Sequence, residues 1–269
     1  MVFSAVAPRA DRAIGSEGLS TILELKNVQK GFGATEILRG IDLSISAGER
    51  VALIGPNGAG KTTLFNLVSG RFAPSAGEVW LKNQRIDGKQ PYAIARLGLA
   101  RSFQSTQVFS GLSVYENLRC SVLLGLGYGG QWLTSVSRLK EVTARTEALM
   151  EQIHLAKQRN TFAQALTYAD QRALELGITL GGGADVILLD EPTAGMSQTE
   201  TLFFLELIKT ATQGKTLLMV EHDMGVVFGL ADKIAVLVEG KLLAFDTPQA
   251  VRANAAVQDA YLGDFSASA

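Results

Sequence analysis

Gly55-Pro56-Asn57-Gly58-Ala59-Gly60-Lys61-Thr62 decides the fold class of this chain, because it matches the phosphate-loop pattern G-x-x-x-x-G-K-[ST] and both flanks suit it. Before it, Val51-Ala52-Leu53-Ile54 reads as a buried parallel strand. After it, Thr62-Thr63-Leu64-Phe65-Asn66-Leu67-Val68 carries apolar residues at helical spacing. Glycines at 55, 58 and 60 let successive backbone N–H groups converge on phosphate oxygens, where bulkier residues would stand in the way. The positive end of the helix favours an anion, Lys61 brings a point charge to the β and γ phosphates, and the Thr62 hydroxyl is placed for Mg²⁺. Asn57, Ala59 and Thr63 complete the stretch expected to hold the nucleotide.

Further along, Val186-Ile187-Leu188-Leu189-Asp190-Glu191-Pro192 has the aliphatic run of a central parallel strand covered on both faces, with two acids at its carboxyl end. Ligands of open α/β sheets bind at that end. Asp190 is thus a candidate for holding Mg²⁺ through water, and Glu191 for orienting or deprotonating an attacking water. A third apolar run, Thr216-Leu217-Leu218-Met219-Val220, leads into Glu221-His222-Asp223, which makes His222 a candidate γ-phosphate contact. His154, the only other histidine, reads as a solvated residue on the polar face of a charged helix.

With 269 residues, 47% hydrophobic and 19% charged, the chain can bury a sizeable core. Its formal net charge of -1 lacks the basic excess of broad nucleic-acid binding, so no nucleic-acid partner is expected. Cys120 is the only cysteine; it excludes an intramolecular disulfide and reads as a small apolar residue in a helix. Residues 1–20 carry Arg9, Asp11, Arg12 and Glu17 among small residues and lack the apolar core of a secretory signal, which predicts a flexible extension. Cys120 to Ser137 is uncharged, but Gly125, Gly127, Gly129 and Gly130 make it a Gly-rich connection between helices rather than a membrane span.

The remaining elements follow from periodicity. Ile22–Val28 and Glu36–Ile45 are expected as strands beside the phosphate-loop strand, separated by a turn at Gly31-Phe32-Gly33. Phe32 in that turn either stacks on a base or packs in the core. Glu78–Leu81 reads as a strand, Tyr92–Leu97 as a short helix, and Ala100-Arg101-Ser102-Phe103-Gln104 as a strand ending at Gln104. Val114 to Leu155 is helical in pattern, including a charged segment from Arg138. Glu200–Ala211 is a helix, Ile234–Val238 and Leu242–Phe245 form a hairpin about Glu239-Gly240, and Thr247-Pro248 opens a last helix.

Phosphate loop, Gln104, the strand ending in Asp190-Glu191, and His222, in that order and at those separations, resemble the ATP-binding subunit of an ABC transporter. The resemblance spans about Leu23 to Gly263. It implies an α/β P-loop ATPase with a mixed β core, an antiparallel β subdomain and a helical subdomain at about 105–180, all within residues 21–264, followed by a tail at 265–269. It further implies that Phe32 stacks on adenine, that Gln104 senses Mg²⁺ and the attacking water, and that Lys61, Gln104, Glu191 and His222 carry the hydrolysis of ATP. Leu166-Thr167-Tyr168-Ala169-Asp170 occupies the slot of the family's L-S-G-G-Q signature, and Ala194-Gly195-Met196-Ser197 that of its D-loop. Both act in trans, so the implied partner is a second ABC ATPase subunit, a related chain or a copy of this one. Membrane permease subunits and, indirectly, an external substrate-binding protein are also implied, on the cytoplasmic face of the cell membrane.

Ala100-Arg101-Ser102-Phe103-Gln104, the long insertion before the signature slot, Tyr168 and the tail Ala260-Tyr261-Leu262-Gly263 resemble the branched-chain amino acid importer ATPases more closely. ATPases of urea and short-chain amide importers share most of these cues. The signature slot departs from the family's pattern at Ala169 and Asp170: the methyl group holds backbone away from phosphate, and an acid opposes the anion unless it points away or pairs, for example with Arg172. The competing expectation is that Asp170 caps a helix starting at Gln171. Of the other function classes, a soluble ABC ATPase of DNA repair or translation would show long coiled coils or two cassettes in one chain, and a GTPase would show Asn-Lys-x-Asp; neither pattern is present. Val108 and Phe109, just after Gln104, are expected either as contacts to membrane subunits or as core.

Overall fold

The computed structural model describes residues 20–102, 108–128 and 139–260. Expectations for Gln104, for the extension before Ser20, and for the tail residues Tyr261, Leu262 and Gly263 and 265–269 lie outside the described residues.

In chain order the elements are β1 (Thr21–Phe32), β2 (Thr35–Ser46), β3 (Arg50–Ile54), α1 (Lys61–Val68), β4 (Ala76–Leu81), β5 (Gln84–Arg85), α2 (Pro91–Arg96) and β6 (Leu99–Arg101). The helices α3 (Val114–Gly125), α4 (Lys140–Gln152) and α5 (Tyr168–Gly181) follow, then β7 (Val186–Asp190), α6 (Gln198–Ala211), β8 (Thr216–Val220) and α7 (Met224–Leu230). The chain closes with β9 (Lys233–Val238), β10 (Lys241–Asp246), α8 (Pro248–Ala253) and α9 (Ala255–Ala260).

Among the described residues these strands make two sheets. One runs in the order β10-β9-β3-β8-β7-β6, parallel from β9 to β6 with β10 antiparallel at its edge. The other, β2-β1-β4-β5, is antiparallel throughout. Strand alternation explains how the larger sheet is clothed on both faces. In β3, Val51 and Leu53 join a core with Leu23, Leu25 and Phe65, while Ala52 and Ile54 join another that contains α3 to α7. The same division separates Val186 and Leu188 from Ile187 and Leu189 in β7.

This arrangement corrects the expectation that β1 and β2 lie beside the phosphate-loop strand. They pair with each other and with β4, and they meet β3 across a layer of side chains. An apolar pattern reports which face is buried, and it is silent on which strand supplies the hydrogen bonds. The expected turn at Gly31-Phe32-Gly33 is also shorter, since Phe32 still pairs with Thr35 at the end of β1.

Three further corrections follow, two of them in the helical part. Cys120 to Gly125 belongs to α3, whose start is held by reciprocal bonds between Ser113 and Glu116, so these residues are not part of the expected Gly-rich connection, and Gly129 to Ser137 lie outside the described residues. Gly125 suits that helix for a packing reason: a Cβ there would stand 2.8 Å from the Gly181 carbonyl oxygen and from Gly182 Cα. His154 is exposed, as expected, but lies beyond the end of α4 at φ 60, with its ring 5.9 Å from that of Phe203. Finally, β6 ends at Arg101 rather than continuing through Ser102. Thr247 and Pro248 open α8 as expected, with the Thr247 hydroxyl accepting from the Ala250 N–H.

Candidate nucleotide site

β3, β8 and β7 are neighbours in one parallel sheet, so their carboxyl ends bring together the phosphate loop, Glu221-His222 and Asp190-Glu191. The loop after β3 is glycine-dependent in two places. Gly55 sits against the Leu237 carbonyl, where a Cβ would be 2.1 Å from its oxygen; Gly60 has φ 104, and a Cβ there would stand 2.7 Å from Leu38 Cδ2. Gly60 is the N-cap of α1 and offers no side-chain cap, and no acid lies in the first turn. The first N–H groups of α1 therefore face a site suited to an anion.

Lys61 closes over this loop. Its Nζ donates to the carbonyl oxygens of Gly55 at 2.5 Å and Pro56 at 3.1 Å. Partial burial lowers its pKa from the ordinary lysine value, and the nearby Glu191 charge partly offsets that effect. Thr62, Asn57 and Gly58 are exposed, Thr63 is half-buried and Ala59 is buried. The Ala59 carbonyl accepts from Gly240 N–H at 3.1 Å, pinning the loop to the β9–β10 turn.

Asp190 and Glu191 differ sharply in setting. Asp190 is buried, and its Oδ2 accepts from an Arg101 guanidinium nitrogen at 2.9 Å. Glu191 is half-buried at φ 46, a left-handed conformation that costs a non-glycine residue about 1–3 kcal/mol. Its N–H donates to the Val220 carbonyl at 2.9 Å, and its Oε1 lies 3.9 Å from His222 Nδ1. The turn is tied down by Glu221, which is buried and accepts from Thr193 N–H at 3.2 Å, the Thr193 hydroxyl at 2.7 Å and His222 N–H at 3.1 Å.

Arg101 and Glu221 are the residues that sequence reading passed over. Each was quoted there as part of a longer motif and given no task. The available signal was a charge inside or directly after an apolar strand, where an unpaired ion would be costly.

Phe32 is 46% exposed and outside both cores, which removes the core-packing alternative. Its ring meets Phe72 edge-on at 5.4 Å, and the Lys30 ammonium lies 5.0 Å from its centroid. The strand that follows it in the hairpin borders the phosphate loop through Ile37 and Leu38.

The signature slot opens α5, and Thr167, not Asp170, is the cap: the Thr167 hydroxyl accepts from Asp170 N–H at 3.2 Å. Asp170 is therefore the third helical residue, where an acid suits the helix dipole without capping. Arg172 pairs with Glu175 at 2.9 Å and donates to the Tyr168 hydroxyl at 3.1 Å, so the expected pairing with Asp170 is replaced by these contacts. Tyr168 in turn donates to the Ala194 carbonyl at 2.7 Å, joining the slot to Ala194–Ser197. Ser197 caps α6 together with Glu200. Leu166 is buried, Thr167 exposed and Ala169 half-buried.

The donor set fits a nucleotide with a hard divalent cation. Among the described residues no three His, Cys, Asp or Glu side chains gather as a metal cluster. A hydroxyl and one carboxylate beside a phosphate cradle is instead the set that Mg²⁺ uses when phosphates complete its shell. Among the described residues, no helix is long and apolar enough to cross a membrane.

Comparison with known proteins agrees with this geometry. Residues 38–194 match the family model for ABC transporters, and residues 241–265 match one described as branched-chain amino acid ATP-binding cassette transporter. The chain is 36% identical over 250 residues to the high-affinity branched-chain amino acid transport ATP-binding protein LivG of Escherichia coli K12, covering 90% of this chain and 98% of that protein. It is 34% identical over 250 residues to BraF of Pseudomonas aeruginosa, with the same coverage of 90% and 98%. A crystal structure of a nucleotide-free ATP-binding cassette from an ABC transporter superposes with TM-score 0.77 at 26% identity, covering 91% of this chain and all of that one. The ADP conformation of another cassette gives TM-score 0.78 at 24% identity over 91% of this chain, a likeness of fold. By its phosphate loop, its paired acids at the end of β7 and these matches, the chain belongs to the ABC transporter family, as an ATP-binding cassette.

Proposed function

We propose that this protein is the ATP-hydrolysing subunit of an importer for branched-chain amino acids, seated peripherally on the cytoplasmic face of a cell membrane. The observation that carries the reading is the convergence of Lys61, Asp190, Glu191 and His222 at the ends of adjacent parallel strands. In this reading residues 21–264 form the ATPase unit, with its helical part at about 105–180. The amino-acid class rests on the relatives named LivG and BraF and on the match at residues 241–265.

Each residue's task follows from its setting. Loop N–H groups and Lys61 hold phosphoryl oxygens, the Lys61 ammonium exchanging its carbonyl partners for phosphate. Thr62 and Asp190 would hold Mg²⁺, which supplies charge neutralisation between the β and γ phosphates. Glu191 accepts a proton from, or orients, the attacking water, and His222 beside it reaches the γ-phosphate. Phe32 presents an exposed ring to adenine.

Thr167 and the D-loop residues complete a second nucleotide across a head-to-tail dimer. Ala169 and the half-buried Asp170 make that trans contact weaker than the glycine and glutamine of the usual signature. A cavity of about 610 Å³ between α2, β6, α3 and α5, walled by Leu99, Ala100, Leu124 and Ile178, suits an element of the permease subunits. Phe109 is exposed, whereas Val108 packs against the helical core.

The test is transport and ATPase activity of the chain reconstituted with its membrane partners and binding protein. Stimulation of turnover by leucine, isoleucine or valine is expected, and Glu191→Gln should trap an ATP-bound dimer. Stimulation by urea or short amides instead would overturn the substrate assignment. Wild-type turnover in Glu191→Gln would overturn the role of Glu191.

A further inference from the structure

Arg101 ends β6 in register with Leu188 of β7, one strand away from the paired acids. Its side chain is 8% exposed and that of Asp190 2%, so both charges are largely shielded from water. Burying such a pair gains little stability over an apolar pair of the same volume, and its use must be sought in geometry. The guanidinium reaches three partners at once. One terminal nitrogen holds Asp190 Oδ2 at 2.9 Å; the other donates to Asn66 Oδ1 at 2.7 Å and Ser69 Oγ at 2.9 Å. The face of Phe65 lies 5.6 Å from the guanidinium carbon and limits where it can swing.

Asn66 is in α1 and Ser69 is its C-cap, and the same helix begins with Lys61 and Thr62. One planar group therefore braces the helix that carries one candidate cation ligand against the carboxylate that is the other. Fixing Oδ2 fixes the direction in which the second oxygen of Asp190 points. A lysine would offer a single nitrogen in place of the fork.

We propose that Arg101 is a positioning residue for the divalent cation that accompanies the nucleotide, acting through Asp190 and α1. This rests on the site reading given above, in which Asp190 and Thr62 serve Mg²⁺. Residues that orient a metal ligand through hydrogen bonds are worth about 10–100-fold in metal affinity or activity when replaced.

The experiment uses the full-length chain with Mn²⁺ as the probe. Free Mn²⁺ is followed by electron paramagnetic resonance at saturating ADP, and ADP affinity is measured separately in EDTA. Arg101→Lys should weaken Mn²⁺ binding about tenfold or more, with metal-free ADP affinity held within about twofold. Ser69→Ala, which keeps the ion pair and removes one brace, should weaken Mn²⁺ by about threefold and is the deciding variant if Arg101→Lys does not fold. Mn²⁺ affinity unchanged in the variants, or lost in parallel with metal-free ADP affinity, would overturn the proposal. A wild-type chain that binds no Mn²⁺ with ADP would overturn the site reading itself.

Discussion

Glu221→Gln tests whether the turn that carries Glu191 is held under tension by a buried carboxylate. Glu221 accepts three hydrogen bonds, from Thr193 N–H, the Thr193 hydroxyl and His222 N–H, in a place with 1% exposure. Hydrogen bonds to a charged group are worth about 1.5–3 kcal/mol each, and an amide of the same shape still accepts at its oxygen. The substitution turns one acceptor into an NH₂ that faces other donors, so a loss of about 2–3 kcal/mol in unfolding free energy is expected. Two of these bonds hold Thr193, in the turn where Glu191 sits at φ 46, a conformation that stores about 1–3 kcal/mol. Letting about 1.4 kcal/mol of that strain relax moves Glu191 out of its aimed conformation and lowers kcat about tenfold. The assays are urea denaturation and steady-state ATPase kinetics in the assembled complex. Since the Glu221 carboxylate is taken up by Thr193 and His222 rather than by the phosphate loop, KM for ATP should stay close to wild type. A kcat within about twofold of wild type alongside the expected stability loss would show that the turn keeps its shape without Glu221, and the strain argument would be wrong.

Other outcomes follow from single contacts. Gly60→Ala places a methyl 2.7 Å from Leu38 Cδ2 at φ 104 and should abolish nucleotide binding in calorimetry, with about 1–3 kcal/mol lost in stability. Burial lowers the Lys61 pKa, so the unfolded chain binds more protons than the folded one just below the ordinary lysine value, and stability rises with pH through that window. Lys61→Met should flatten this rise in denaturation series on the alkaline side; an unchanged slope would refute the assignment. Tyr168→Phe removes the 2.7 Å bond to Ala194 and should cost about 1 kcal/mol, leaving ADP affinity of the separate subunit unchanged. Ala169→Gly combined with Asp170→Gln should raise ATP turnover in the assembled complex, and equal rates would show that the slot is not weakened.

The phosphate loop, the acids at the end of β7 and the apolar strands were legible in the chain because their chemistry is local. A glycine-rich turn between strand and helix, or four aliphatics before two acids, leaves few alternatives. Thr247 was legible as a cap for the same reason. Cap assignment at the signature slot failed by three residues, since Thr167 and Asp170 are both good caps and only the entry angle of the chain selects between them.

What tertiary structure alone decided was partnership. Periodicity told that Leu23 and Leu25 were buried, while stacking across β3 rather than pairing with it depends on strands far apart in sequence. The tasks of Arg101 and Glu221 are invisible for the same reason: Asn66, Ser69 and Asp190 meet Arg101 only after α1, β6 and β7 pack together. A charge in a strand has no meaning until its partner is placed, because its cost or benefit is set by burial and by the groups within a few ångströms.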